Sequence, residues 1–368
     1  MWNRIRALIL KEFRALLRDR KIRLVLFVPP IVQMIIFANA ATFDVANAAL
    51  GIWDEDGSRP AAELIDRFVR SPAFARLAIY QRPEQVEAAI TNQQVAAVLH
   101  LGQRFSADLK TGRRPDVQLI LDARRSNTAL ILEGYAAEVV DGYAFDLAHA
   151  AGRAPPVEAV TRAWFNPNLS SRWFILPGLV ALLSIVVTLL TTALSVARER
   201  ELGTFDQLLV TPMQPLEIVA GKTLPAFAIG MIEAAILVLV ATLIYGVPFV
   251  GNPLILLSGV AVYLLSGIGI GLAISSIAST QQQAILGVFL FLAPAIILSG
   301  FGTPIENMPV WCQELTLVDP IRYMLVLARG VFLQDMPWTV ALTQVWPMAV
   351  IGIVTFAMAA WLFGRRVQ

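Results

Sequence analysis

The sequence predicts an α-helical polytopic membrane protein with six transmembrane helices, both termini cytoplasmic, and an α/β extracytoplasmic domain inserted between spans 1 and 2. Three observations carry this: an apolar composition, long uncharged runs, and basic residues gathered on a few short segments. Of 368 residues 57% are hydrophobic and only 15% charged, against about 25% charged in an ordinary soluble domain. Leu24–Phe43 runs 20 residues without a charge, Trp173–Ala197 25, Ala234–Ile305 72 and Met336–Gly364 29. About 20 apolar residues cross the hydrocarbon core as a helix. Only helices and closed barrels satisfy their backbone there, and the runs lack the strict alternation of barrel strands.

Six spans follow, at roughly 22–41, 173–197, 224–246, 254–277, 284–300 and 343–363. The longest run is cut by Gly246-Val247-Pro248, by Gly251-Asn252-Pro253 and by Ser279–Gln283, all turn-forming clusters. Short flanking segments rich in Lys and Arg stay cytoplasmic. Residues 1–23 hold eight of them, 198–222 contribute Arg198, Arg200 and Lys222, and the chain closes on Arg365-Arg366. Six spans put all three segments on one side. The stretch 42–172 then lies outside, and long domains are exempt from the charge rule. Within it, Ala48–Trp53, Leu77–Tyr80, Val95–Leu101 and Val117–Leu121 read as strands, and Pro60–Arg70, Pro83–Gln93 and Asn127–Ala150 as helices. Gly152–Pro156 is expected to end the last of these.

Leu24–Phe37 followed by Ala38-Asn39-Ala40 resembles a signal peptide. The basic region before it is longer than a signal's and amphipathic, so the first span is expected to be retained. Residues 1–21 form an interfacial helix, with Ile5, Leu8, Ile9, Phe13, Leu16 and Leu17 on one face and basic residues on the other. A plain positive-inside anchor explains the same pattern.

Residues 198–222 are the most informative segment. Thr204 and Gln207 make a capping box. Phe205, Leu208 and Leu209 share a face, and Pro212 stops that helix. Pro215 opens a second short helix that Gly221 is expected to close. Two stiff pieces behind a mixed-charge lead-in make a lever; the competing reading is an amphipathic loop lying on the lipid surface.

Arg198-Glu199-Arg200-Glu201-Leu202-Gly203-Thr204, with Gln207-Leu208-Leu209-Val210-Thr211-Pro212 and Gly221-Lys222, resembles the signature of type-2 ATP-binding-cassette (ABC) exporter permeases. The likeness returns at Leu298–Phe301, Pro304–Pro309, Pro320–Tyr323 and Arg329-Gly330, and Asn127–Ala129 and Asn166–Asn168 are similar to the bacterial drug-export subgroup. Asp319 stands where that family's pattern has Asn. The resemblance implies that Glu199, Gly203, Thr204, Gln207, Leu208 and Leu209 contact a separate cytosolic ABC ATPase. It also implies a second permease subunit, identical or closely related, and an outer re-entrant segment at 301–342 containing Glu306, Asn307, Pro320 and Arg322.

ATP and its Mg are expected only in the partner ATPase. Gly221-Lys222-Thr223 ends like a phosphate loop, but position 216 is Leu rather than the required Gly. There is no nucleophile–base constellation for an enzyme, the single Cys312 precludes an internal disulfide, and two histidines offer no His-based metal site. The net charge of +2 says little about partners; membrane lipids are expected, nucleic acid is not.

Glu233 is the one ionisable residue deep in a span, about 15 Å in. Such carboxylates are costly and face a cavity or a polar partner. With Thr188, Thr191 and Thr192 it forms a candidate intramembrane polar site, although these threonines can equally bond their own helix. Gly267, Gly269 and Gly271 are expected to permit close helix packing.

The sequence therefore points to the permease subunit of an exporter in a bacterial inner membrane, moving an amphipathic drug, lipid or similar molecule, with a periplasmic adaptor as a candidate partner of its outer domain. An ion-coupled carrier using Glu233, and a membrane-anchored sensor or assembly protein, are the alternatives.

Overall fold

The computed structural model describes residues 6, 9–11, 13–14, 18, 20–40, 47–124, 126–150, 152, 164–168, 170–203 and 215–367. The chain divides into two compact units, Thr42–Arg162 and the rest.

The first of these is α/β. Its order is β1 (Ala48–Asp54), α2 (Arg59–Arg70), β2 (Phe74–Tyr80), α3 (Pro83–Thr91), β3 (Ala97–Leu101), α4 (Phe105–Thr111), β4 (Val117–Leu121) and α5 (Ser126–Ala150); α1 belongs to the other unit. The sheet order is β2-β1-β3-β4. β1 pairs in parallel with β2 and β3, and β4 runs antiparallel to β3. The strand interior alternates between two apolar layers. Leu50, Leu99 and Leu101 meet Leu64 and Phe68 of α2 and Leu132 of α5, while Val98 meets Val86 and Ala89 of α3. Ser58 caps α2 by accepting from Ala61 N, with Pro60 pre-set for the first turn. The periodicity did not reveal α4, a seven-residue helix too short to show a period.

The second unit is helical. It contains α1 (Arg20–Ala40), α6 (Ser171–Glu201), α7 (Pro215–Leu239), a π turn (Val240–Ile244), α8 (Pro253–Ile277), α9 (Gln281–Leu298), α10 (Val310–Leu315), α11 (Pro320–Leu333) and α12 (Trp338–Val367). The described residues between 6 and 18 are also helical. Among the described residues, five helices are long and apolar enough to cross a membrane: Ser171–Glu201, Ala220–Ile244, Pro253–Ile277, Gln281–Leu298 and Trp338–Leu362. The first expected span falls on α1, whose apolar part Leu26–Ala40 is shorter.

α6 is the central pillar. Its residues from Ile175 to Val196 are almost all buried, and they pack against Met34 and Ala38 of α1, Leu237 of α7, Tyr263 of α8, Val288 of α9 and Leu325 of α11 in one core. Small residues allow this. A Cβ on Gly267 would come within 3.0 Å of Ile185, and one on Gly271 within 3.0 Å of Thr192, both on α6; one on Gly269 would strike Thr355 of α12. The glycine row of α8 is a packing seam, as expected from its composition.

The turn signals between spans act through side-chain caps. Asn252 accepts from Leu254 N at the start of α8, and Thr280 from Gln283 N at the start of α9. Two expectations for 198–222 need correction. Arg198–Glu201 are not a separate lead-in but the last turn of α6, and Gly221 does not close a short helix, because α7 runs unbroken from Pro215 to Leu239. Past the apolar stretches, Glu199, Arg200 and Glu201 of α6 and Lys222 of α7 are held by neighbouring elements.

Candidate functional site

At the charged end of α6, successive residues point in different directions, about 100° apart around the axis. Arg198 is exposed. Glu199 is buried, at 8% exposure. Its carboxylate lies 2.7 Å from Lys222 Nζ of α7 and 3.2 Å from Lys11 Nζ of the N-terminal helical segment. Lys222 is itself 2% exposed and donates to the carbonyl and hydroxyl of Ser195 at 3.3 and 3.2 Å. A glutamate between two lysines, with a serine taking the remaining lysine protons, satisfies charges that would be costly alone.

Arg200 and Glu201 turn to the α8–α9 corner. Arg200 donates to the carbonyls of Ser275, Ser276 and Ala278 at 3.2, 2.8 and 2.9 Å. These are the free carbonyls of the last turn of α8, where a cation also opposes the negative end of the helix dipole. Glu201 accepts from the backbone N of Gln281 at 2.9 Å and from its Nε2 at 3.2 Å. It thereby caps the positive end of α9. The charge alternation in Arg200-Glu201 matches the alternation of helix ends it meets.

α6 closes with Gly203 in the left-handed region, φ +69, its N bonded to Arg200 O at 3.0 Å. That conformation favours glycine. Thr204, Gln207, Leu208 and Leu209, with the expected capping box, lie outside the described residues. Of the residues expected to touch an ATPase, the structure thus describes Glu199 and Gly203. It turns the Glu199 carboxylate inward to the two lysines, and leaves Gly203 exposed at the helix end. Lys222 sits inside a helix with its amine held by Glu199 and Ser195, an arrangement unlike a phosphate loop.

The second candidate, within the bundle, is less assembled. Glu233 of α7 is 1% exposed, and neither carboxyl oxygen has a hydrogen-bond partner among the described residues. Thr188 and Thr192 donate to Ser184 O and Thr188 O, each at 2.7 Å, and the Thr191 hydroxyl has no partner among the described residues. α7 approaches Thr188 at Gly230, where a Cβ would strike its hydroxyl. The structure therefore places Glu233 one turn from that contact without hydrogen-bonding it to any of the three threonines.

In the 301–342 segment, Glu306 and Asn307 are exposed in a 3-10 turn, Ile305–Asn307. Asp319 caps α11 by accepting from Ile321 N at 2.9 Å, with Pro320 in its first turn. Arg322 hydrogen-bonds the Thr316 hydroxyl. Gln313 Nε2 donates to Met308 O at 2.8 Å, tying the 3-10 turn to α10. The segment also holds a contact that sequence reasoning missed: the Arg329 guanidinium lies 3.7 Å from the centre of the Phe174 ring of α6, and its Nε and Nη2 have no partner among the described residues. Among those residues, no cluster of three His, Cys, Asp or Glu side chains is placed to ligate a metal ion.

Sequence reasoning also missed Lys222 as the partner of Glu199, and Arg200 and Glu201 as caps. The available signal was the i-to-i+1 charge alternation, which cannot lie on one helix face and so must serve several neighbours.

Several apolar helices packed on a buried central one, joined at one end by a charged junction that carries an inter-helix segment, define a multi-pass membrane protein. Residues 21–361 match the family described as ABC-2 family transporter protein, and the chain belongs to that family. It is 39% identical over 368 residues, covering all of both chains, to the probable multidrug ABC transporter permease YbhR of Escherichia coli (strain K12). It is 30% identical over 373 residues to the probable multidrug ABC transporter permease YbhS of the same organism, covering 99% of this chain and 97% of that one. To the inner membrane transport permease YhhJ, also of that organism, it is 28% identical over 363 residues, covering 97% and 96%. Members of the family are membrane transport subunits whose ATPase is a separate partner.

Proposed function

We propose that this chain is the permease subunit of an ABC exporter in a bacterial inner membrane, carrying an amphipathic drug, lipid or similar molecule outward while a partner subunit hydrolyses ATP. The observation that carries this reading is similarity along all of both chains to a probable multidrug ABC transporter permease. The distribution of Lys and Arg supports cytoplasmic termini and a cytoplasmic 198–222 segment, and hence an extracytoplasmic α/β domain at 42–172. Two permease subunits would form the pathway between them. The outer domain would receive substrate or dock a periplasmic adaptor. Residues 301–342 would cap the outer end, with Glu306, Asn307, Pro320 and Arg322 in that cap.

The partner ATPase engages residues 198–222 through Gly203, Thr204, Gln207, Leu208 and Leu209. ATP binding favours one arrangement of the helices only insofar as the ATPase binds the two arrangements with different affinity. Glu199 belongs behind this contact rather than in it, given its burial against Lys222. Glu233 and the threonines Thr188, Thr191 and Thr192 are a polar site within the bundle, available to a polar substrate group or to a neighbouring helix.

The deciding experiment is purification of the complex with a photo-crosslinker at Gln207. Capture of an ATP-hydrolysing subunit is expected; repeated failure to capture one, from material that is otherwise intact, overturns the coupling role. A topology reporter at residue 110 should read extracytoplasmic and one at 210 cytoplasmic.

A further inference from the structure

We infer that Glu199 and Glu201 are positioning residues that divide the motion of the 198–222 segment between separate helices, Glu199 driving α7 and Glu201 driving α9. This deepens the coupling role proposed above and rests on it. Residues 199–201 are in the last turn of α6, so a force on the segment that begins at Gly203 reaches them through helix backbone. From there the contacts diverge. Glu199 reaches α7 through Lys222 at 2.7 Å and the N-terminal helical segment through Lys11 at 3.2 Å. Glu201 reaches the first residue of α9 by two bonds to Gln281. Arg200, between them, holds three carbonyls at the end of α8.

The three connections differ in strength. The Glu199–Lys222 pair is buried on both sides, with side chains 10% and 1% exposed, and Lys222 is further fixed by Ser195. Such a link is stiff, because breaking it strands a charge in a low-dielectric site. The Glu201–Gln281 contact is exposed and soft. At this end α7 is therefore tied to α6 more tightly than α9 is, and α9 adds only its apolar packing on α6. Burial makes the difference, since both links begin at a glutamate.

The test uses the full complex with its ATPase partner in nanodiscs, Cys312 replaced by serine, and spin labels at exposed positions. One label pair joins Leu243, beyond the end of α7, to Ile353 on α12; the other joins Leu290 on α9 to Ile353. Distances are measured without nucleotide and after trapping with Mg-ATP and vanadate. In E199Q the nucleotide-driven population shift at Leu243 should weaken about fivefold or more, with the Leu290 shift retained. E201A, which removes the acceptor shared by Gln281 N and Nε2, should do the reverse. The conservative E199D, which keeps a carboxylate facing Lys222, should retain the Leu243 shift, which a general loss of folding would not allow. Shifts that persist in both variants, or that both variants lose together at both labels, overturn the division. So does loss of ATPase binding in E199Q, which would make Glu199 a contact residue. If the unsubstituted chain recruits no ATPase, the coupling reading itself fails, and that outcome is visible before any variant is made.

Discussion

Removing the Lys222 amine while leaving its partner tests the junction most directly. In K222M, Glu199 loses Lys222 while Lys11, whose side chain is 59% exposed, stays beside it, and the Ser195 carbonyl and hydroxyl lose a donor. Breaking a buried pair from one side costs about 3–5 kcal/mol because a charge is left without compensation. Lys11 remains at 3.2 Å, so the expected loss lies at the lower end, about 3 kcal/mol. The double variant E199Q/K222M removes both charges, and its loss should be smaller than that of K222M alone, since replacing a buried pair by neutral groups of similar volume is often neutral. Reversible unfolding in mixed micelles, read by tryptophan fluorescence, supplies the four corners of a double-mutant cycle. A coupling energy of about 2 kcal/mol or more is expected for residues in direct contact. A coupling below about 0.5 kcal/mol, the range of independent sites, would refute the claim that these two side chains depend on each other.

Other variants probe other levels of the structure. G269L puts a side chain against Thr355 and within 3.1 Å of the Phe356 backbone, so α8 and α12 cannot keep their approach; the yield of monodisperse protein should fall sharply, whereas G134L, at a glycine with open space around it, should not change it. R200Q takes the cation from the last turn of α8 and should lower stability by about 1 kcal/mol, seen as faster amide exchange at Ser275–Ala278. In the α/β unit, burial by itself raises the Asp56 carboxyl, but hydrogen bonds from Ser58 and Ser106 outweigh it and hold the group below the usual value of 3.8. Its contribution is therefore fully present above that value and lost as pH falls through the lower folded one. Amide exchange in the Ser58 and Ser106 turns should rise with acid, and D56N should abolish that part of the pH dependence. For coupling, G203P forbids the positive φ and T204D alters the next residue; ATPase stimulation and export should both fall, and unchanged values in both variants would count against the segment's role.

The sequence alone made legible the apolar helical character, the strand-and-helix alternation of the α/β unit and some helix boundaries. Uncharged runs of span length, the turn clusters around Asn252 and Thr280, and the strand-and-helix alternation of residues 48–150 are local signals that act over a few residues. The likeness in Arg198–Pro212 and beyond also pointed to the family to which the chain belongs. The small residues of α8 were legible as a packing seam because few other uses suit glycine in an apolar helix.

Only the tertiary structure decided where the charges of 199–201 go. A helix turn shows which residues are adjacent, but not that Lys222, 23 positions after Glu199 in the numbering, returns on α7 to neutralise it. Nor does it show that the ends of α8 and α9 present a negative and a positive pole beside Arg200 and Glu201. The same reason explains the misplaced helix ends at Glu201 and Gly221: a helix stops where its backbone and side chains run out of partners, and those partners come from elements far away in sequence. Glu233 shows the converse, since its isolation from Thr188, Thr191 and Thr192 depends on how α7 is rotated against α6, which packing sets and periodicity does not.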